Sequence, residues 1–134
     1  MPGYSGTPLP KKLGIKDGSR TRLVAIPPDV RAELKPSLAR CEMHAKGKGP
    51  LDFGMVFAKS RAELITEFNE IAEILASAGM IWAIWPKKSS GVSTDLDENK
   101  VRDIGLAVGL VDVKVCAVTD VWSGLKFVRR VKDR

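Results

Sequence analysis

The sequence predicts an α/β protein: one open, mostly parallel five-stranded sheet, about three crossover helices and a C-terminal antiparallel hairpin. Three observations predict it. Residues 51–134 alternate strand and helix signals and end in two strands joined by a tight turn. Met80-Ile81-Trp82-Ala83-Ile84-Trp85 is apolar on both faces, as a central strand covered on both sides must be. The helical stretches from Ser60 and from Thr94 open on capping residues and close at Gly79 and Gly109. Residues 1–19 read as an N-terminal arm and residues 20–134 as a single α/β domain.

Taken in order, the arm is rich in Gly, Pro, Ser and Lys. It predicts a short helix over 7–13, with Thr7 as N-cap, Pro8 at the first helical position and Gly14 as the stop. Lys16-Asp17-Gly18 turns into a first strand at 20–26. Asp29 is placed to cap a helix running to Arg40, with Val30, Leu34 and Leu38 on one stripe. His44 to Pro50 reads as an exposed loop. Leu51 to Ala58 is a strand with Phe53, Met55 and Phe57 on one face. Ser60 and Glu63 form a capping box before Leu64, Phe68, Ile71 and Leu75. Thr94 or Asp95 caps the next helix, which carries Leu96, Val101, Ile104 and Val108. Val111–Val118 and Leu125–Val131 are the closing strands, with Asp120–Ser123 as turn material.

A chain of 134 residues carrying a net charge of +6 suits one domain with a real core. No apolar run approaches the roughly 20 residues that span a bilayer, and the first residues lack a signal-peptide pattern. Cys41 and Cys116 stand far apart, so reduced thiols and a cytoplasmic protein are expected. Lys11, Lys12 and Lys16 at one end and Arg129, Arg130, Lys132 and Arg134 at the other read first as solubilising charge. Nucleic-acid binding through those termini is a weaker reading, because only 6% of residues are aromatic and no nucleic-acid motif is present.

The order strand, helix, strand, helix, strand, turn, strand resembles the C-terminal half of a class I S-adenosylmethionine-dependent methyltransferase. Leu75–Gly79 leading into Met80–Trp85 looks like the end of helix four entering strand five. Val108-Gly109-Leu110 looks like the step into strand six. Three longer segments are similar to those of an uncharacterised bacterial family, the domain of unknown function 3052. They are Tyr4-Ser5-Gly6-Thr7-Pro8-Leu9, Trp85-Pro86-Lys87-Lys88-Ser89-Ser90-Gly91 and Trp122-Ser123-Gly124-Leu125-Lys126-Phe127-Val128. That second likeness implies no activity.

The departure from the methyltransferase pattern is as informative as the likeness. Such an enzyme holds its cofactor with a glycine-rich turn after strand one and an acidic residue at the end of strand two. Here Arg22-Leu23-Val24-Ala25-Ile26 runs into Pro27-Pro28-Asp29, and two prolines remove two backbone N–H donors. Residues 27–50 leave room for a single crossover, so strand two and its acid are read as missing. No cofactor is expected.

If strand one pairs directly with residues 51–58, three right-handed crossovers step the same way and put their helices on one face. The other face, which carries one of Trp82 and Trp85, would then be bare. A homodimer is expected to cover it, with the N-terminal segment as the rival cover.

Ligands of open α/β sheets sit beyond the carboxyl ends of the strands. That places Lys59, Ser60, Arg61, Lys87, Lys88, Ser89, Ser90 and Gly91 in one candidate anion site, beside a helix N-terminus. Solvated lysines and capping serines are the plainer reading. The Trp122-Ser123-Gly124 turn is expected at the opposite end. Tyr4, Ser5, Gly6, Thr7, Lys11 and Lys12 could close over the site as a lid, although packing of Leu9 and Leu13 on the sheet is the simpler role. Cys41 and His44 make only half a zinc site, so no metal is expected. Cys116 reads as core, and no nucleophile elbow or catalytic constellation is present. Asp95, Asp97 and Glu98 read as helix-start acids, with acid–base work as the alternative.

The preferred reading is a non-catalytic binding or interaction module on a trimmed methyltransferase-like scaffold. The alternative is binding or turnover of a small phosphate- or carboxylate-bearing metabolite at the basic carboxyl end. Nucleic-acid binding is third and residual methyl transfer last.

Overall fold

The computed structural model of the chain describes residues 6–134. Four helices, α1 (Leu9–Leu13), α2 (Pro28–Leu38), α3 (Arg61–Glu73) and α4 (Glu98–Ala107), pack on one six-stranded sheet. The strands are β1 (Arg20–Val24), β2 (Glu42–Met43), β3 (Leu51–Phe57), β4 (Leu75–Pro86), β5 (Leu110–Ala117) and β6 (Trp122–Arg129). Their order across the sheet is β2-β1-β3-β4-β6-β5. β2, β1, β3 and β4 are mutually parallel, and β6 runs antiparallel to both β4 and β5. Among the described residues no helix is long and apolar enough to cross a membrane.

The expected class is therefore present with one strand more than the five expected. The extra strand, β2, is only two residues long. It pairs Arg20 with Glu42 and Thr21 with Met43, through Glu42 N–H to Ser19 O (2.9 Å) and His44 N–H to Thr21 O (2.8 Å). Two residues carry no periodicity, so backbone pairing alone reveals this edge.

That small strand redirects the chain. The β1–α2–β2 crossover steps outward, whereas β3–α3–β4 and β4–α4–β5 step the opposite way. Right-handed crossovers stepping in opposite directions place their helices on opposite faces. The expected bare face does not exist. Val30, Leu34 and Leu38 of α2, with Leu9 and Leu13 of α1, pack on Phe53, Met55, Phe57, Trp82 and Ile84. On the other face Leu64, Phe68, Ile71, Val101 and Ile104 meet Val56, Ile81, Ala83, Trp85, Leu125 and Phe127. Trp82 and Trp85 do face opposite ways. The argument that required a homodimer falls with the bare face, and the rival cover, the N-terminal segment, occupies part of it as α1.

Local corrections follow the same logic. α1 starts one turn-position later than Thr7 suggested: Pro8 is its N-cap and Gly14 ends it at φ 82°. α2 starts from Pro27, with Asp29 inside the first turn instead of capping it. α3 stops at Glu73, because Ile74 O accepts from Leu51 N–H (2.8 Å) and draws Leu75 into β4. Gly79 then passes so close to β3 that a Cβ there would lie 2.8 Å from Leu51 O. α4 is capped by Asp97, whose Oδ1 accepts from Lys100 N–H at 2.9 Å, since Thr94 and Asp95 are engaged elsewhere. β6 begins at Trp122, so the hairpin turn is made earlier, by residues 118–121. Its register, Pro86 opposite Trp122, sets that turn at the carboxyl end of β4 and corrects the expectation of the opposite end.

Candidate functional site

Two strand-to-helix turns define the carboxyl end of the sheet. After β1 the chain passes through Ala25, a non-glycine residue at φ 55°, and then Pro27-Pro28. The left-handed conformation that a glycine would adopt freely is thus present at this turn, but held by alanine. The α2 N-terminus has no side-chain cap, and neither proline can donate. The open hollow between this turn and α3, about 440 Å³, is lined by Val24, Ala25, Phe57, Ala62, Glu63, Thr66 and Glu67.

β2 is now visible: its two residues are Glu42 and Met43, and His44 follows directly after them. The His44 ring is nearly buried, its Nε2 3.1 Å from Glu42 Oε2 and its Nδ1 3.2 Å from Lys48 O. A methyltransferase cofactor needs backbone donors at the first turn and a carboxylate at the second strand's end. Pro27 and Pro28 remove two donors from the first turn, and the one carboxylate on β2, Glu42, is engaged 3.1 Å from the His44 ring, so the residues present do not fit S-adenosylmethionine in that mode.

After β3 the turn is saturated instead. Ser60 Oγ accepts from Glu63 N–H (3.2 Å), the N-cap half of the expected capping box, and donates to Glu63 Oε1 (3.0 Å), so the glutamate meets the hydroxyl instead of Ser60 N–H. Arg61 N–H, also expected to face a ligand, donates to Asp95 Oδ1 at 2.8 Å. Thr94 Oγ donates to Lys59 O at 2.6 Å. The segment before α4 therefore lays its own carboxylate on the α3 N-terminus.

The second predicted loop lies beside the first, because Phe57 and Ile84 are paired. Its polar groups are spent internally: Lys87 N–H donates to Val121 O (2.7 Å), Ser90 Oγ donates to Lys87 O (2.6 Å), and Ser90 Oγ accepts from Val92 N–H (3.2 Å). Lys88 and Ser89 are exposed, and Gly91 closes the short 3-10 turn at φ 78°. The structure thus brings Lys59, Ser60, Arg61 and Lys87–Gly91 to one end of the sheet. It uses the helix N-terminus there for Asp95.

Of the lid residues, Tyr4 and Ser5 lie outside the described residues. Gly6 and Thr7 lead into α1, which lies on the sheet face with Leu9 and Leu13 buried. Lys12 Nζ donates to Ala117 O (2.9 Å), and Lys114 Nζ donates to Lys12 O (2.9 Å). Trp82 Nε1 donates to Leu13 O at 2.8 Å, a fully buried bond. Lys11 and Lys12 are therefore carried on α1 over the sheet face, with the Lys12 ammonium on the last residue of β5.

Sequence reasoning passed over Lys114 and Lys126. They are register partners on β5 and β6, on the same face as α1. The available signal was alternation: Lys126 stands between Leu125 and Phe127, both buried on the α3–α4 side, so it must face the other layer. Cys116, on that face too, is half-buried, and burial pushes its thiol up against the pull of Lys12 and Lys114. Among the described residues no three His, Cys, Asp or Glu side chains gather as a metal site would require. Cys41 Sγ contacts Ser37 O (3.4 Å) instead.

The fold is that of known methyltransferases. The chain is similar to a methyltransferase from Pyrococcus furiosus, with TM-score 0.60 and 11% identity over 92% of this chain and 80% of that one. A putative type 11 methyltransferase from Sulfolobus solfataricus aligns with TM-score 0.58 and 17% identity over 92% and 90%. Precorrin-6y C5,15-methyltransferase from Geobacter metallireducens aligns with TM-score 0.58 and 12% identity over 91% and 86%. No protein-family model and no curated protein matches the chain, so the likeness to domain of unknown function 3052 rests on its three quoted segments alone.

Proposed function

We propose that this chain is a binding module on a methyltransferase-like scaffold and that it does not use S-adenosylmethionine. One observation carries the reading: the turn after β1 is Ala25-Ile26-Pro27-Pro28, with two backbone donors removed from the turn that would hold the cofactor. The engagement of Glu42 with His44, and the two carboxylates of Glu63 and Glu67 lining the hollow beside Ala25, support it. Solved neighbours include a magnesium protoporphyrin IX methyltransferase with bound S-adenosylhomocysteine, at 10% identity. At that identity the neighbour speaks for the fold alone.

The test is isothermal titration of the full chain with S-adenosylmethionine and with S-adenosylhomocysteine. The reading predicts no saturable heat from either. One-to-one binding tighter than about 1 mM, or about −4 kcal/mol, would refute it.

A further inference from the structure

On the α1 side the two helices do not reach across the whole sheet. Toward the β5 edge they leave a strip of β4, β6 and β5 that includes half-buried Met80, Val111 and Val128. Set among these apolar residues are three lysines. Lys126 is the register partner of Trp82 on one side and of Lys114 on the other. Its amine reaches the C-terminus of α1: a Cβ built on Gly14 would lie 3.9 Å from Lys126 Nζ and 3.4 Å from Met80 Sδ. Lys16 follows two residues after Gly14.

No ion pair among the described residues uses Lys16, Lys114 or Lys126. Burial first, then the neighbouring Lys114 and Lys16 ammoniums, pull the Lys126 pKa down. Like charges gathered on a half-apolar surface destabilise the free protein, and an anion would reverse that cost.

A hollow of about 290 Å³ opens beside Lys16 and Gly14, lined also by Gly18, Ser19, Ala78 and Met80 among others. Two carboxylates on its wall are already paired. Asp17 meets Arg40 at 2.8 Å, and Asp52 meets Arg20 at 2.8 Å. The unpaired charge at the hollow's rim is therefore positive.

We propose that this strip is a phosphate-binding site, with Lys16, Lys114 and Lys126 as the ammonium donors and the hollow beside Gly14 receiving the rest of the ligand. The site lies on the α1 face, apart from the carboxyl-end loops. It deepens, and rests on, the reading of the chain as a binding module. A phosphorylated metabolite and a nucleic-acid backbone share this chemistry, and the experiment separates them.

The experiment is an amide NMR titration of the full chain with inorganic pyrophosphate and, separately, with short single-stranded DNA. The expected result is saturable shifts at Gly14–Lys16, Lys114 and Lys126, and binding about tenfold weaker in Lys126→Met. Lys114→Gln, changed at an exposed side chain, gives the same test should Lys126→Met fail to fold. Tight DNA binding whose logarithm falls with log salt at a slope of about −2 would identify a nucleic-acid backbone as the source. Pyrophosphate binding without DNA binding would identify a small metabolite. Shifts confined to Lys59–Arg61 and Lys87–Gly91, no shifts with either probe, or unchanged affinity in both variants would overturn the site. None of those three results bears on S-adenosylmethionine, which is titrated separately.

Discussion

The two faces of the sheet are filled by different means. On one, α3 and α4 are full crossover helices, and their apolar stripes close on the sheet with a perpendicular Phe68–Phe127 pair at 5.2 Å. Gly105 of α4 lies so near the sheet that a Cβ would fall 2.0 Å from the Phe127 ring. On the other face a single crossover helix, α2, is joined by five-residue α1 from the segment before β1. That layer is fastened by polar contacts, indole to Leu13 O and lysine to Ala117 O, and it stops short of the β5 edge. The α3–α4 layer is closed on the sheet by apolar packing. The partial layer, pinned by polar bonds, leaves a half-apolar, basic strip with room for a ligand.

The contrast can be broken by substitution. Gly105→Ala should have the largest effect, at least about 3 kcal/mol in chemical denaturation, because a methyl must displace the Phe127 ring from a packed core. Leu13→Ala should cost about 2–3 kcal/mol by opening a cavity under α1. A loss below about 0.5 kcal/mol would mean that α1 is not a structural layer. Trp82→Phe keeps most of the ring but orphans Leu13 O, so it should cost about 1.5 kcal/mol and loosen α1 in amide exchange while leaving α3 protected.

The smallest effect is electrostatic. The Arg20 guanidinium beside Asp52 lowers that carboxyl from 3.8 to about 2. A lowered folded-state value means the pair's stabilisation is full above pH 3.8 and is lost as pH falls through about 2. Asp52→Asn should therefore remove part of the stability at neutral pH and flatten the acid limb of an unfolding curve. A parallel shift of the whole curve would count against the assignment.

How much of this was written in the sequence differs between elements. β3 and β4 were readable because alternation and a two-sided apolar run are local patterns, and Ser60–Glu63 because a capping box spans three residues. β2 was not, since two residues carry no period, yet it decides which face α2 covers and hence whether a face is bare. The candidate site suffered from distance in sequence. Arg61 N–H looked available until Asp95, thirty-four residues on, was seen to accept from it. Lys126 was legible as an inward-facing strand residue, but its meaning depended on α1 ending above it. The absence of a glycine turn after β1 needed no structure at all. What the structure added was the alanine at φ 55° and the engagement of Glu42, on β2, with the His44 ring that follows the strand.

The most direct test of the central claim is a map of amide shifts on adding S-adenosylmethionine to the labelled full chain. The account predicts none that saturate at Val24–Asp29 or Met43–Ala45, the two turns that would hold the cofactor. Saturable shifts at both turns would contradict it and make the proline turn a working cofactor loop.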